Sequence, residues 1–281
     1  MFEIVNKRDL NQAVVLLEVS APFIAKKAQP GQFIIFRTDE FGERVPLTIA
    51  DFDREKGTVT IIAQKVGRAT KILGSMQIGD SILDFVGPLG RPTDFNGAKK
   101  VCVIGGGVGC AIAYPQAKAL YHMGAAVDII AGFRSKDIII LEEEMKKICD
   151  HLILTTDDGS YGKQGFVTDA LHEQIQKGAG YDLVVAIGPI PMMKFVCELT
   201  KKYHLKTTVS LNPIMIDGTG MCGCCRVTVG GKTKFACVDG PDFDGHQVDF
   251  DELMNRNMNY RQQEERDSQH ICRLTGGVRY A

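Results

Sequence analysis

Tryptophan is absent from this chain of 281 residues, and no apolar run reaches the roughly 20 residues that a membrane-spanning helix needs. No membrane partner is expected. The N-terminal stretch MFEIVNKRDLNQAVVL lacks the charged, apolar and small-residue layout of a secretory signal, which points to a cytoplasmic protein. An excess of either charge is also missing. With 33 Lys and Arg against 34 Asp and Glu, the net charge of −1 gives no electrostatic reason to expect nucleic acid or an anionic surface as partner. The six histidines show no metal-ligand spacing, and no Ser-His-Asp arrangement can be argued, so no histidine is assigned a catalytic role. Internal repeats and low-complexity segments are lacking too.

What remains is ordinary globular composition, 44% apolar and 24% charged, over a length beyond the roughly 100–200 residues of one domain. Two modules and a small appendage are expected. Residues 1–97 carry short β-rich runs (AVVLLEVS, QFIIFRT, TVTIIAQKV, SILDFVG) between Pro, Gly and charged turns, the pattern of a small antiparallel barrel. Residues 98–210 read as a βαβ series: strand KKVCVIGG, a Gly-rich turn, helix CAIAYPQAKALYHMG, strand AVDIIAGF, acidic helix ILEEEMKKICD, then strands LILTTDD and DLVVAIG. That series implies a parallel, Rossmann-like sheet. Residues 211–245 are dense in Gly and Cys, and 246–281 are polar, with one charged helix expected in DFDELMNRNMNYRQQEERDSQ.

The turn after the first parallel strand holds Gly105, Gly106, Gly107, Val108 and Gly109. Glycines there let a backbone approach a pyrophosphate, and the following helix offers free N–H groups, although tight strand–helix packing alone would also call for them. Cys110 stands where a strict G-x-G-x-x-G pattern has its last glycine. The acidic ribose reader expected about 20 residues on would be Asp128, but it lies inside a strand, and Arg134 in the next loop could favour a 2′-phosphate or simply face solvent. In the first module, Pro46-Leu47-Thr48 and the turn Gly67-Arg68-Ala69-Thr70 suit a flavin: a hydroxyl at a strand end can bond its N5 edge, and the turn can present N–H groups to a pyrophosphate. The same residues are also ordinary turn formers.

Nine cysteines in a reducing compartment ask for a metal or redox explanation rather than disulfides, and four of them fall between residues 222 and 237. Cys102, Cys110, Cys149 and Cys197 sit in apolar contexts and read as small buried hydrophobes. Asp217, Cys222, Cys225 and Cys237 form D-x4-C-x2-C-x11-C. Plant-type [2Fe-2S] proteins use C-x4-C-x2-C and a distant Cys, so the spacing is intact and the first thiolate is replaced by a carboxylate. A structural zinc site, which draws on two separated pairs, and inert thiols are the alternatives.

The order of RVPLT, GRAT, GGGVG, TDDGSYGKQG, AIGP and DGTGMCGCCRV resembles the ferredoxin-NADP reductase superfamily along nearly the whole chain. The cysteine segment is similar to the branch holding dihydroorotate dehydrogenase electron-transfer subunits and the small subunits of NADH-dependent reduced ferredoxin:NADP oxidoreductases (sulfide dehydrogenase-like). SLNPIMIDGTGMCGCC resembles the second family more closely, since the first has Cys at the place of Asp217.

The resemblance implies an FAD-binding β-barrel, an NAD(H)-binding domain and a [2Fe-2S] module. It implies Pro46, Leu47 and Thr48 at the flavin ring, with Thr48 tuning N5. Ile62, Ala63, Gln64, Gly67, Ala69 and Thr70 would face the ribityl chain and pyrophosphate, and Gly105–Gly109 with Gly188 of AIGP the dinucleotide. It further implies a larger glutamate-synthase-like partner with its own FAD and [4Fe-4S] clusters, electron bifurcation, and ferredoxin as an indirect partner. A dihydroorotate dehydrogenase subunit and a redox-sensing dinucleotide-binding module are the rival expectations. The superfamily arginine usually lies three residues before the hydroxyl, where this chain has Val45; Arg44 would face the other side of the strand.

Overall fold

Alternation builds the first sheet: in the run VVLLEVS, Val15, Leu17 and Val19 are buried and the residues between them are half-buried. The structure, a computed structural model, describes residues 1–258. The first seven strands are β1 (Phe2–Asp9), β2 (Val14–Ser20), β3 (Phe33–Arg37), β4 (Val45–Asp53), β5 (Thr58–Gln64), β6 (Ser81–Ile82) and β7 (Asp84–Leu89), with helices α1 (Pro22–Lys27) and α2 (Arg68–Ser75) in the connections. They form an antiparallel half-barrel in the order β6-β1-β2-β5-β4-β3-β7. Strand β1 is not among the expected runs, and β4, expected as a strand ending at Thr48, continues to Asp53; β1 has charged and polar residues at most positions and buries only Ile4.

The second sheet follows in chain order: β8 (Lys100–Gly106), α3 (Cys110–His122), β9 (Ala126–Phe133), α4 (Glu142–Lys146), β10 (His151–Thr156), β11 (Lys163–Gln164), α5 (Val167–Gln176), β12 (Leu183–Ile187), α6 (Ile190–Lys202) and β13 (Thr207–Ser210). Its strands β8 and β12 are buried almost end to end, as a parallel sheet covered by helices requires. The order β11-β10-β9-β8-β12-β13 reverses direction at β8, so the end of β8 is the switch point where such sheets bind ligands. The acidic helix is shorter than its sequence pattern suggests, because Leu141 holds a left-handed φ of 57° just before Glu142.

The cysteine-rich segment adds a hairpin of β14 (Arg226–Val229) and β15 (Lys232–Phe235), the short helix α7 (Ala236–Asp239), β16 (Asp242–Asp244) and helix α8 (Phe250–Met258). Strand β16 joins the edge of the second sheet antiparallel to β13. The rest of the charged helix expected from Asp249 onward lies outside the described residues. Phe33 and Ile35 of β3 share a small core with Met215, Cys225, Ala236 and Cys237, so the cysteine segment is seated on the barrel as well. Between barrel and parallel sheet, Ala50 and Ile62 pack with Cys110, Ala111 and Ala113, and Lys118 of α3 pairs with Asp51 of β4 at 2.6 Å. This docking sets α3, the helix that follows the Gly-rich turn, against β4. Among the described residues no helix is long and apolar enough to cross a membrane.

Candidate functional site

The strands β4 and β5 part company where a flavin site was expected. They pair from Ile49–Ile61 onward, while Thr48, Leu47 and Pro46 pair instead with Phe33, Ile34 and Ile35 of β3. Continuing the β4–β5 register would oppose Thr48 to Ile62, Leu47 to Ala63 and Pro46 to Gln64, and those pairs do not form. The fork leaves backbone groups of both segments open to a ligand. Thr48 therefore lies within β4 at the branch of the fork, not at a strand end. Directly after β5, Thr70 Oγ1 accepts N–H bonds from Val66 (3.2 Å) and Gly67 (3.1 Å), so its hydroxyl shapes the turn from inside. Ala69 is buried, and a Cβ added at Gly67 would meet nothing within 4 Å, so the outer face of the turn is backbone. A free-edged fork followed by the start of α2, where the N–H groups of Arg68 and Ala69 precede the first helical bond, fits FAD.

At the switch point the glycines divide by role. A Cβ at Gly109 would stand 2.5 Å from the Ile187 carbonyl oxygen, and one at Gly188 would stand 3.1 Å from Gly106 Cα, so these residues let β8, β12 and α3 close together. Gly107 differs: its φ is 56° and a Cβ there would meet nothing within 4 Å. It opens outward at the start of the turn that leads into α3, with half-buried Val108 next to it. The cradle fits a dinucleotide pyrophosphate.

Asp128 is excluded as the ribose reader. It lies near the N-terminal end of β9, buried, with its carboxylate bonded to Tyr181 OH and His151 Nδ1, both at 2.8 Å. Among the acidic groups at the ligand end of the sheet are Asp157 and Asp158, immediately after β10. Their N–H groups bond the carbonyls of Phe133 (3.0 Å) and Arg134 (3.2 Å), which sets them against the end of β9. Ser160 donates to Asp158 from both hydroxyl and N–H, lowering its carboxyl below the ordinary value, while Asp157 is exposed. The signal in the sequence was the pair of acids closing LILTTDD.

The four expected cluster ligands gather as two pairs. Cys222 Sγ lies 3.3 Å from Asp217 Oδ1 on the exposed side, and Cys225 Sγ lies 3.2 Å from Cys237 Sγ in the small core under β3. Asp217 accepts N–H bonds from Thr219, Met221 and Cys222 at 3.1 Å each. Burial would raise its pKa, but these donors outweigh it and hold the carboxyl at about 2. Burial first, and then the Cys225 sulfur, push the Cys237 thiol up to about 12. Two sulfurs so close cannot both ionise without a cation between or beside them, which is the chemistry iron supplies. Cys224 also stands beside Cys222, with its sulfur 4.0 Å from the Cys222 carbonyl. The two pairs bring three sulfurs and one carboxylate to a single segment in the spacing that a two-iron cluster uses.

A groove of about 760 Å³ opens elsewhere, along Arg91–Lys99 and the N-terminal ends of β8, β12 and β13. Parallel sheets bind ligands at the opposite end, and the groove holds none of the expected site residues.

Residues 103–198 match the oxidoreductase NAD-binding domain, and residues 212–249 match the iron-sulfur cluster binding domain of dihydroorotate dehydrogenase B. An uncharacterized protein of Clostridium beijerinckii is 52% identical over 272 residues, covering 94% of this chain and 92% of that one. A Thermotoga maritima homolog of the dihydroorotate dehydrogenase B (NAD(+)) electron transfer subunit is 45% identical over 274 residues, covering 98% and 96%. Among solved structures, an NADH-dependent reduced ferredoxin-NADP oxidoreductase superposes with a TM-score of 0.89 at 45% identity, covering 96% of this chain and 97% of that one.

Proposed function

We propose that this chain, which belongs to the dihydroorotate dehydrogenase B electron-transfer subunit family, is the small subunit of a flavin-based, electron-bifurcating NADH-dependent reduced ferredoxin:NADP oxidoreductase. It is an NAD-binding oxidoreductase with an iron–sulfur domain, and an electron-transfer subunit acts with a catalytic partner. The observation that carries the finer reading is Asp217, whose carboxylate pairs with Cys222 at the place where the dihydroorotate branch has a cysteine.

FAD and the cluster supply the chemistry, namely hydride exchange with the nicotinamide and release of the pair as single electrons. The protein holds and aims. Pro46, Leu47 and Thr48 with Ile62, Ala63 and Gln64 line the flavin fork, and the Thr48 hydroxyl lies at its branch to bond N5. The backbone from Gly67 to Thr70 takes the FAD pyrophosphate. Gly107, with Val108 beside it, admits the dinucleotide pyrophosphate, while Gly105, Gly106, Gly109 and Gly188 let the strands and α3 close behind the turn. Asp157 and Asp158 meet the ribose diol and repel a 2′-phosphate, which favours NAD(H). Asp217, Cys222, Cys225 and Cys237 would hold the cluster, Asp217 and Cys222 from the exposed side and Cys225 and Cys237 from the small core under β3.

The exit for electrons is the surface around this loop, where Met221 is 90% exposed and Ile214, Ile216 and Val238 are exposed beside it. An apolar patch of this kind marks a docking face. The partner is a larger glutamate-synthase-like flavoprotein with [4Fe-4S] clusters, through which ferredoxin is reached. Purification of the tagged chain from its native host, with iron and flavin analysis, tests this. Co-purification of that large flavoprotein supports it. An FMN-containing barrel protein in its place would assign the chain to dihydroorotate oxidation instead.

A further inference from the structure

Four guanidinium groups, from four separate parts of the chain, close on the backbone of the cysteine loop. Arg44, just before β4, donates from Nε to the Ile216 carbonyl at 2.7 Å, with Nη2 3.5 Å from that of Asp217. Arg226 in β14 donates from Nη1 to Gly223 at 3.2 Å. Arg256 in α8 donates from Nη2 to Cys224 at 3.3 Å, and Arg91, beyond β7, donates from Nε to Val238 at 3.1 Å. Each expected ligand thus has one arginine on its own carbonyl or on that of an adjacent residue: Arg44 at Asp217, Arg226 beside Cys222, Arg256 beside Cys225 and Arg91 beside Cys237.

Two physical effects follow from this placement. A peptide unit is planar and trans, so a carbonyl drawn outward onto a guanidinium aims the next N–H to the opposite side. For Arg44, Arg226 and Arg256 the N–H groups so fixed belong to Asp217, Cys224 and Cys225, in the loop that must wrap the sulfides. Each guanidinium also brings a permanent positive charge. Among the described residues only Arg91 of the four has a carboxylate within 4.0 Å, Asp239 at 3.9 Å. A cluster held by three thiolates and a carboxylate is anionic and gains one more negative charge on reduction. Nearby cations and N–H donors therefore stabilise its reduced form.

We propose that Arg44, Arg91, Arg226 and Arg256 form a collar of positioning residues that fixes the cluster loop and raises the reduction potential of the cluster, so that electrons from the flavin are drawn toward it. The inference rests on the cluster reading above. The half-buried Arg44 and Arg256 contribute most. Arg226 is exposed, and Arg91 is 69% exposed and partly neutralised by Asp239, so solvent and salt screen both. Arg44 also joins two sites, since only Val45 separates it from the flavin-fork segment Pro46-Leu47-Thr48.

The test is an EPR-monitored redox titration of the full chain, comparing wild type with Arg44→Gln, Arg256→Gln, Arg226→Gln and Arg44→Lys. Arg44→Gln and Arg256→Gln should each lower the reduced-to-oxidised ratio at a fixed ambient potential by about tenfold, ~59 mV for a one-electron couple. Arg44→Lys should retain most of the wild-type potential, and Arg226→Gln should shift less, by an amount that salt removes. If Arg44→Gln does not assemble a cluster, Arg256→Gln and Arg226→Gln carry the same comparison. Potentials unchanged in the Gln variants, or a Lys variant shifted as far as the Gln one, would overturn the proposal. A wild-type chain with no [2Fe-2S] signal would instead overturn the cluster reading and the collar with it.

Discussion

Cys225 and Cys237 hold their sulfurs 3.2 Å apart although eleven residues lie between them. The hairpin of β14 and β15 makes this possible: Arg226 pairs with Phe235, and the N–H of Ala236 returns to the carbonyl of Cys225 at 3.1 Å. A ligand pair that is distant in sequence is therefore preorganised against β3, one strand away from the flavin fork, while the Asp217–Cys222 pair faces outward.

The outer pair gives the first expectation. Asp217→Ala should lose iron or release it far faster than wild type, because a carboxylate is the harder and weaker donor and its loss removes one of the four ligands, on the solvent side of the loop. Asp217→Cys should retain the cluster with altered EPR g-values, and Cys224→Ser should leave iron content within about 20% of wild type. Iron analysis and EPR of the three variants decide between Asp217 and Cys224 as fourth ligand.

Gly107→Ala should weaken NADH binding about tenfold or more with flavin content unchanged, since the added methyl enters the open space reserved for the pyrophosphate. Gly178→Ala is the matched control: Gly178 also has a positive φ, 80°, and nothing within 4 Å of an added Cβ. Both variants carry a similar backbone strain, about 1 kcal/mol. Equal NADH affinity in the two would show that Gly107 serves the turn alone.

Asp157→Ser should raise the ratio of NADPH to NADH efficiency, as kcat/KM, by about tenfold, because the exposed carboxylate would no longer repel a 2′-phosphate. Asp128→Asn should instead alter stability without changing that ratio. Steady-state assays with both nucleotides supply the comparison.

Asp242 makes stability depend on pH. It is half-buried between barrel and parallel sheet, and its Oδ2 accepts from Thr93 and from Gln116 Nε2 at 3.1 Å, whereas the buried atoms Asp242 Oδ1 and Gln116 Oε1 have no partner among the described residues. A proton on Oδ1 provides the missing donor. Burial raises this carboxyl from 3.8 to about 6, so the stability it contributes is complete below about pH 4 and is lost as pH rises through about 6. Asp242→Asn should match wild type near pH 4 and exceed it at pH 8 by up to about 3 kcal/mol, measured as denaturant unfolding at each pH. An unchanged gap across that range would contradict the account of Asp242.

The parallel sheet and its Gly-rich turn were legible because a buried strand, a turn and a helix follow in unbroken succession, as KKVCVIGG, GGVG and CAIAY do. The cysteine spacing carried its chemistry in the same local way. What local pattern could not supply was the fork, since the parting of β4 from β5 is a matter of which strand Thr48 pairs with, and the polar strand β1 has too little alternation to stand out. The role of Arg44 was also hidden, because its partner lies 172 residues away. Asp157 and Asp158 were in plain view as TDD, but only the bonds from their N–H groups to Phe133 and Arg134 set them at the ligand end of the sheet.

The most direct test of the account is an anaerobic titration of the full chain with NADH, followed by visible absorption and EPR together. The expected result is bleaching of about one bound flavin per chain and the growth of a reduced [2Fe-2S] signal with about two irons per chain. Flavin that stays oxidised under excess NADH, or flavin that bleaches in a chain whose iron gives no [2Fe-2S] signal even with a stronger reductant, would contradict it.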